Sequence, residues 1–466
     1  MKPSHLLPLL AVALSVTGLA QDKAAPPRTE AEILSGLKLP DGYEATVFAM
    51  PPQLGYPVSC SAAVDGTLFV AVDENGSLDR KKNETGMARG KVMRLRDVDG
   101  DGKADAFKTF AEMDSPRGVI WDGPGMGADG TMPGTLYVMH PPNLTAYTDT
   151  DGDGVANKAE TILSGLGFGL DFRGADHTTN GCRLAIDGFI YIAVGDYGFT
   201  KAVAKDGTTL SMRGGGIVRV RPDGTGFEII SRGQRNIYDV AISPTLDLFT
   251  RDNTNDGGGW NVRLSHVPPG AHMGYPTLFK NFAEDIVQPL ADFGGGSPCG
   301  ALWIDEPGLP GGLYTVEWGS NAIMHHPLKP KGAGWEVNAS VKPTDPKLPG
   351  QVKWLGITRP TDMDVDAAGR IYITSWEGAT FTYNGPNAGY VVRVREKTMT
   401  PFEMGDFGRA SVEVLVGNLT SSSAVVRLAA QRELLRRQPS GANAIPHEES
   451  VTPLHALANS KESAPA

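Results

Sequence analysis

Apolar residues along this chain gather in short blocks, each broken by Gly, Asp or Pro before it is long enough for a helix of ordinary length. Between about Asp41 and Lys397 one grammar returns at an interval of roughly 40 to 60 residues, the spacing of propeller blades. A short apolar strand meets a Gly-containing turn, a second strand rich in β-branched and aromatic residues follows, and one or two outer strands complete the unit. The second strands are Thr67–Val72, Thr135–Met139, Phe189–Val194, Leu246–Thr250, Gly312–Val316 and Arg370–Thr374. They predict an all-β fold, a six-bladed β-propeller over 41–397. A sandwich of short strands is the competing architecture, and the periodic self-similarity disfavours it. Tyr43–Ala49 precedes the first blade and is placed to pair with the last, which would close the ring and remove exposed sheet edges.

The pattern changes at both ends. After Lys397, Ser411–Leu419 and Ser423–Arg437 read as two helices, the second with Val425, Leu428 and Leu435 on one face and Arg436-Arg437 at its C-terminal end. This short C-terminal helical extension, 398–438, resembles one unit of a helical repeat and must pack on the propeller or stay mobile. The tail 439–466 is polar and small and is expected to be disordered. At the other end, Lys2 followed by the apolar run Leu6 to Val16 and by Gly18-Leu19-Ala20 predicts a signal peptide over 1–20. A linker over 21–40 would follow, and the protein is expected to be periplasmic or secreted.

Composition narrows the function classes. In 466 residues there are 58 Gly and 34 Pro, and the formal net charge is −10. That balance argues against nucleic acid or an anionic membrane as partner, and after the leader no segment is apolar enough to span a bilayer. Cys60, Cys182 and Cys299 are too few for a disulfide framework. One disulfide with one thiol, or three thiols, both remain open, and Cys60 and Cys182 read as small core residues.

Two loops are rich in aspartate. Asp149, Asp151 and Asp153 with Gly154, and Glu160 in the twelfth place, match the spacing of an EF-type calcium loop. Asp97, Asp99 and Asp101 with Gly102 repeat it, with Lys108 in the twelfth place and Asp105 as the further ligand. A tight acidic turn without metal is the alternative. Any Ca2+ bound there is expected to be structural, since each loop joins the outer strands of a blade.

The chemistry is expected where the chain enters each innermost strand, at one mouth of the channel. Those entries carry Ser115-Pro116-Arg117-Gly118, Asp176-His177, Gly233-Gln234-Arg235-Asn236 and Thr358-Arg359-Pro360. Arginine recurring at one point of the repeat suits an anionic ligand held by paired hydrogen bonds. His177 is the candidate general base, and Asp196, returned to the same mouth by the hairpin, is placed to orient it.

These residues carry a family resemblance. His177 with Gly181-Cys182-Arg183-Leu184, then Asp187-Gly188-Phe189-Ile190-Tyr191-Ile192 and Gly195-Asp196-Tyr197-Gly198, resembles the signature of the soluble glucose/sorbosone dehydrogenases, six-bladed propellers that use pyrroloquinoline quinone (PQQ) and calcium. Gly233-Gln234-Arg235-Asn236 is similar to their Gly-His-Arg-Asn segment, and Gly274-Tyr275-Pro276 to their Tyr-Gly-Trp-Pro. The chain also resembles the dehydrogenase-like propellers of Planctomycetes and Verrucomicrobia. The resemblance implies a sugar or alcohol substrate, with His177, Asp196 and Arg235 as catalytic residues. It also implies cofactor contacts, for which Arg117, Asn236, Arg359 and Asp252 are the candidates. The chain departs from the pattern in a longer His loop and in Asp252-Asn253-Thr254-Asn255, which stands where the family has a calcium segment. It lacks Cys-x-x-Cys-His, so the electron acceptor is expected to be a separate protein or small molecule. The alternative to an enzyme is a non-catalytic propeller that binds carbohydrate or a protein partner.

Overall fold

The computed structural model describes residues 26–75, 90–168, 175, 177–254, 261–276, 283–381, 383–399, 405–437 and 447–460. The expected signal peptide, 1–20, lies outside the described residues, as do Asp176 and Asn255. Six antiparallel sheets, each built on four strands, stand around one axis as the blades of a propeller. The innermost strands are Pro57–Ala62, Gly118–Asp122, Thr179–Leu184, the broken pair Asn236–Ile237 and Ala241–Ile242, Pro298–Ile304, and Pro360–Val365. The second strands run Leu68–Asp73, Thr135–His140, Ile190–Val194, Leu248–Asn253, Gly312–Glu317 and Ile371–Ser375, within two residues of the sequence expectation at their starts. They are almost wholly buried, and apart from Leu248–Asn253 mostly apolar, because each blade packs on both of its neighbours. Met139 of the second blade shares a core with Ile192 of the third, for instance, and Val70 of the first with Tyr372 of the sixth.

The ring closes as the sequence implied. Tyr43–Ala49 is the outer strand of the sixth blade and pairs antiparallel with Tyr390–Glu396, Tyr43 opposite Glu396 and Val47 opposite Val392. All three cysteines are free thiols, with Cys60 and Cys182 buried. Glycine is required where innermost strands crowd the axis: a Cβ on Gly181 would meet the carbonyl oxygen of Tyr238 at 2.7 Å.

The termini hold more structure than expected. The linker contains a helix, α1, Glu30–Gly36, started by a reciprocal cap between Thr29 and Glu32, with Ile33 buried against the fifth and sixth blades. The extension forms α2, Val412–Asn418, capped by Ser411, and α3, Ala424–Arg436, capped by Ser423. The tail is not wholly disordered: α4 spans His447–Ala458, where Leu454 and Leu457 cover the apolar face that α2 and α3 leave open.

Helix α3 lies across the end of the channel where the innermost strands finish. Its first turn is held by the fifth blade: the Ala424 N–H donates to the Asp305 carbonyl at 3.0 Å and the Val425 N–H to Glu306 Oε1 at 3.0 Å. Gln431 and Arg432 then donate to the carbonyls of Ile186 and Leu184 in the third blade. No helix among the described residues is long and apolar enough to cross a membrane.

Candidate active site

Call the end where the chain enters the innermost strands the upper mouth. Four of these entries turn on a non-glycine residue with left-handed backbone: Tyr56 (φ 50°), Ser115 (43°), His177 (62°) and Arg359 (43°). In the fourth blade Gly233 takes the same conformation (φ 81°). Such residues cost of order 1–3 kcal/mol each and persist only where the surroundings hold them.

At His177 the surroundings are explicit. Gly195 crosses so close behind it that a Cβ there would lie 2.4 Å from the His177 carbonyl oxygen. The crossing sets Asp196 beside the imidazole, with Nδ1 and Oδ1 2.5 Å apart. The Tyr197 N–H donates to the His177 carbonyl at 3.3 Å, and the two rings stack with centroids 5.4 Å apart. The His177 and Asp196 side chains are 16% and 14% exposed, shielded from bulk water yet reachable from the mouth.

The neighbouring entry is tied to this one. Asn180 donates to Asn236 Oδ1 at 3.2 Å and to the Ile237 carbonyl at 3.0 Å, bringing Arg235-Asn236 next to the His177 loop. Arg235 is half-buried and donates through Nη1 to the Asn253 carbonyl at 3.0 Å. Arg359, on the far side, lays its guanidinium 4.8 Å from the Trp318 ring and donates to the Ala379 carbonyl at 2.8 Å.

Two expected cofactor residues are engaged inside the protein. Arg117 is 3% exposed, with Nη1 3.6 Å from Asp73 and Nη2 donating to the Tyr238 hydroxyl. After the left-handed turn at Ser115 the Arg117 N–H joins the sheet by donating to the Met139 carbonyl, and the residue lines a small pocket with Tyr238, Asp239 and Asp362. Asp252 is fully buried and faces Arg263 across its hairpin, with Nη2 to Oδ2 at 2.6 Å. It also accepts from the Arg235 N–H at 2.9 Å, so it positions that loop and presents no carboxylate to the mouth.

The aspartate loops stand at the opposite end. In the first, Asp97, Asp99 and Asp105 bring carboxylate oxygens within 4.8 Å of one another, and Asp149, Asp151 and Asp153 do so in the second. Asp101 and Glu160 lie outside these groups; Asp101 accepts from the Lys103 N–H, and Glu160 pairs with Lys205. Arg393 of the sixth blade already meets Asp97 at 2.7 Å.

One cluster escaped the sequence argument. Deep in the channel Arg183 lies 2.7 Å from Asp239, 3.4 Å from Asp362 and 3.5 Å from Asp364, and donates to the carbonyls of Ala301 and Met363. Asp362 and Asp364 accept from the Cys60 and Ala62 N–H groups, tying the sixth blade to the first. Burial raises all three acids, Asp239 and Asp364 to about 6. These residues come from three blades, so no local spacing announces them. The only signal is charge on innermost strands, Arg183 on Thr179–Leu184 and Asp362 and Asp364 on Pro360–Val365.

A family model described as a domain of unknown function (DUF7133) matches residues 29–284, more than half of the chain. Among solved structures the chain is similar to a protein of Thermus thermophilus assigned as an oxidoreductase (glucose dehydrogenase), at 16% identity and TM-score 0.52, covering 76% of this chain and 100% of that one. It is also similar to the holo form of the PQQ domain of pyranose dehydrogenase from Coprinopsis cinerea, at 11% identity and TM-score 0.51, covering 77% and 97%. At these identities the likeness carries the fold. No curated protein matches the chain.

Proposed function

The chain belongs to the DUF7133 family, a domain of unknown function, and from that premise we propose that it is an oxidoreductase that oxidises a sugar or similar alcohol at the upper mouth, with PQQ as cofactor. The observation that carries this reading is the 2.5 Å contact between His177 Nδ1 and Asp196 Oδ1 at a strained backbone position. With Nδ1 held by the carboxylate, Nε2 is the nitrogen that can take a proton from a substrate hydroxyl. Asp196 fixes the tautomer and stabilises the imidazolium that results, and Tyr197 holds the ring in plane.

The residues present fit the cofactor in part. Arg235, Asn236 and Arg359 are the groups that would hold its carboxylates and carbonyl oxygens, the arginines by planar paired donation. Arg117 and Asp252 are committed elsewhere. PQQ, when bound, would supply the two-electron acceptor that no side chain provides.

A second reading is a non-catalytic propeller binding carbohydrate or a protein partner. It is favoured by the withdrawal of Arg117 and Asp252 from the mouth. Titration of the protein with PQQ and calcium, followed by absorbance, separates the two. Saturable binding that weakens in Arg235→Ala supports the oxidoreductase. No binding at micromolar cofactor removes it and leaves the binding module.

The loop at Asp149, Asp151 and Asp153 is the better candidate for a structural calcium, since Arg393 already compensates Asp97 in the other loop. Export rests on the apolar run Leu6 to Val16, and electrons would leave through a separate acceptor.

A further inference from the structure

Between α3 and the finishing ends of the innermost strands lies a cavity of about 230 Å³. Trp121, Leu184, Val240, Leu302 and Leu428 give it apolar walls, and Arg432 enters its lining from α3. Among the described residues Arg432 makes one hydrogen bond, from Nη2 to the Leu184 carbonyl at 2.7 Å; its Nε is buried without a partner. No carboxylate of the described residues stands within ion-pair distance of it. Asp122, the acid that acts on it most strongly, is engaged by Arg436. Of the acids of the lining, Asp364 faces Arg183, and Glu306, raised to about 7 by burial, accepts from the Val425 N–H through Oε1 while its Oε2 is buried with no partner.

Arg432 is half-buried; an arginine stays charged under all ordinary conditions, and a partly desolvated charge with no carboxylate at ion-pair distance gains from an anion that meets it. We propose that this lower-mouth cavity binds a small amphiphilic carboxylate, with its head on Arg432 and its chain along the apolar wall. The volume is below the ~300–1,000 Å³ usual for drug-sized ligands, which limits the chain to a short one. The site is separate from the upper mouth: Thr179–Leu184 runs between His177 and the cavity, a rise of roughly 17 Å along the strand.

Trp121 and Trp303 line the cavity, so a heavy-atom carboxylate reports on it directly. Titration of the full chain with ω-bromo-octanoate should quench tryptophan fluorescence saturably. ω-Bromo-octanol, which lacks the charge, should bind at least about tenfold more weakly, and Arg432→Gln should weaken the carboxylate by a similar factor. His177→Ala should leave the quenching unchanged. Ala429→Phe, which fills the cavity from α3, should abolish it and decides the matter if Arg432→Gln does not fold. Absence of saturable quenching in the wild type, equal affinity for acid and alcohol, or retained binding in Ala429→Phe would each overturn the proposal.

Discussion

The two mouths of the channel are built from one strand and put charge to opposite uses. His177 stands just before Thr179–Leu184, and Arg183 lies near its end. Their side chains are equally shielded, each 16% exposed. What differs is the company. His177 meets one carboxylate and faces a mouth open to solutes. Arg183 is ringed by three carboxylates, and its remaining surface looks into a cavity roofed by α3. Shielding alone therefore does not separate a group fit for chemistry from one that holds the fold together. The number of fixed partners and the access of a second molecule do.

Three experiments sharpen or break this contrast. The largest effect is expected for His177→Ala, which should lower turnover roughly 10²–10⁴-fold once a substrate is in hand, with the urea unfolding midpoint unchanged. A variant that loses stability in step with activity would move His177 to the structural side. Next, Arg183→Met strands three buried acids and should destabilise the protein by about 3–5 kcal/mol in urea unfolding, while the proposed binding of PQQ at the upper mouth should be unaffected in the folded fraction.

The smallest effect concerns pH. Asp239 and Asp364 are raised to about 6, above their unfolded value near 4. The folded protein therefore holds protons that the unfolded chain has released between these values. The stability these groups contribute is present below about 4 and falls as pH rises to 6. Comparison of the wild type with Asp364→Asn isolates this component, since the variant should lose part of the decline. Parallel curves would refute the assignment.

What could be read from the sequence was whatever is local and periodic. The blades, the closing strand Tyr43–Ala49, the helix starts at Ser411 and Ser423, and the burial of Cys60 and Cys182 follow from short-range pattern. The pairing of His177 with Asp196 was within reach because one hairpin joins them. Asp252 was misplaced because its partner Arg263 faces it across a hairpin, where a nearby cation looks the same as an empty ligand position. The engagement of Arg117 was not legible because its partners Asp73 and Tyr238 lie in other blades. The Arg183 cluster was invisible because Asp239 and Asp362 lie in other blades. By contrast, Thr29 and Glu32 spelled out the start of α1 in a segment expected to be a linker.

The strand that closes the ring also sets a timetable. Tyr43–Ala49 is among the first parts of the fold to leave the ribosome, and its partner Tyr390–Glu396 is among the last. At about 5–20 residues per second, the first strand waits some ~20–70 s for the other to be made. During that interval the nascent propeller is an open arc with two unsatisfied edges, the geometry most prone to pairing with another copy. A latch made from the two ends thus pairs the last open strand of the ring and concentrates the risk of misassembly in the interval before its partner is made.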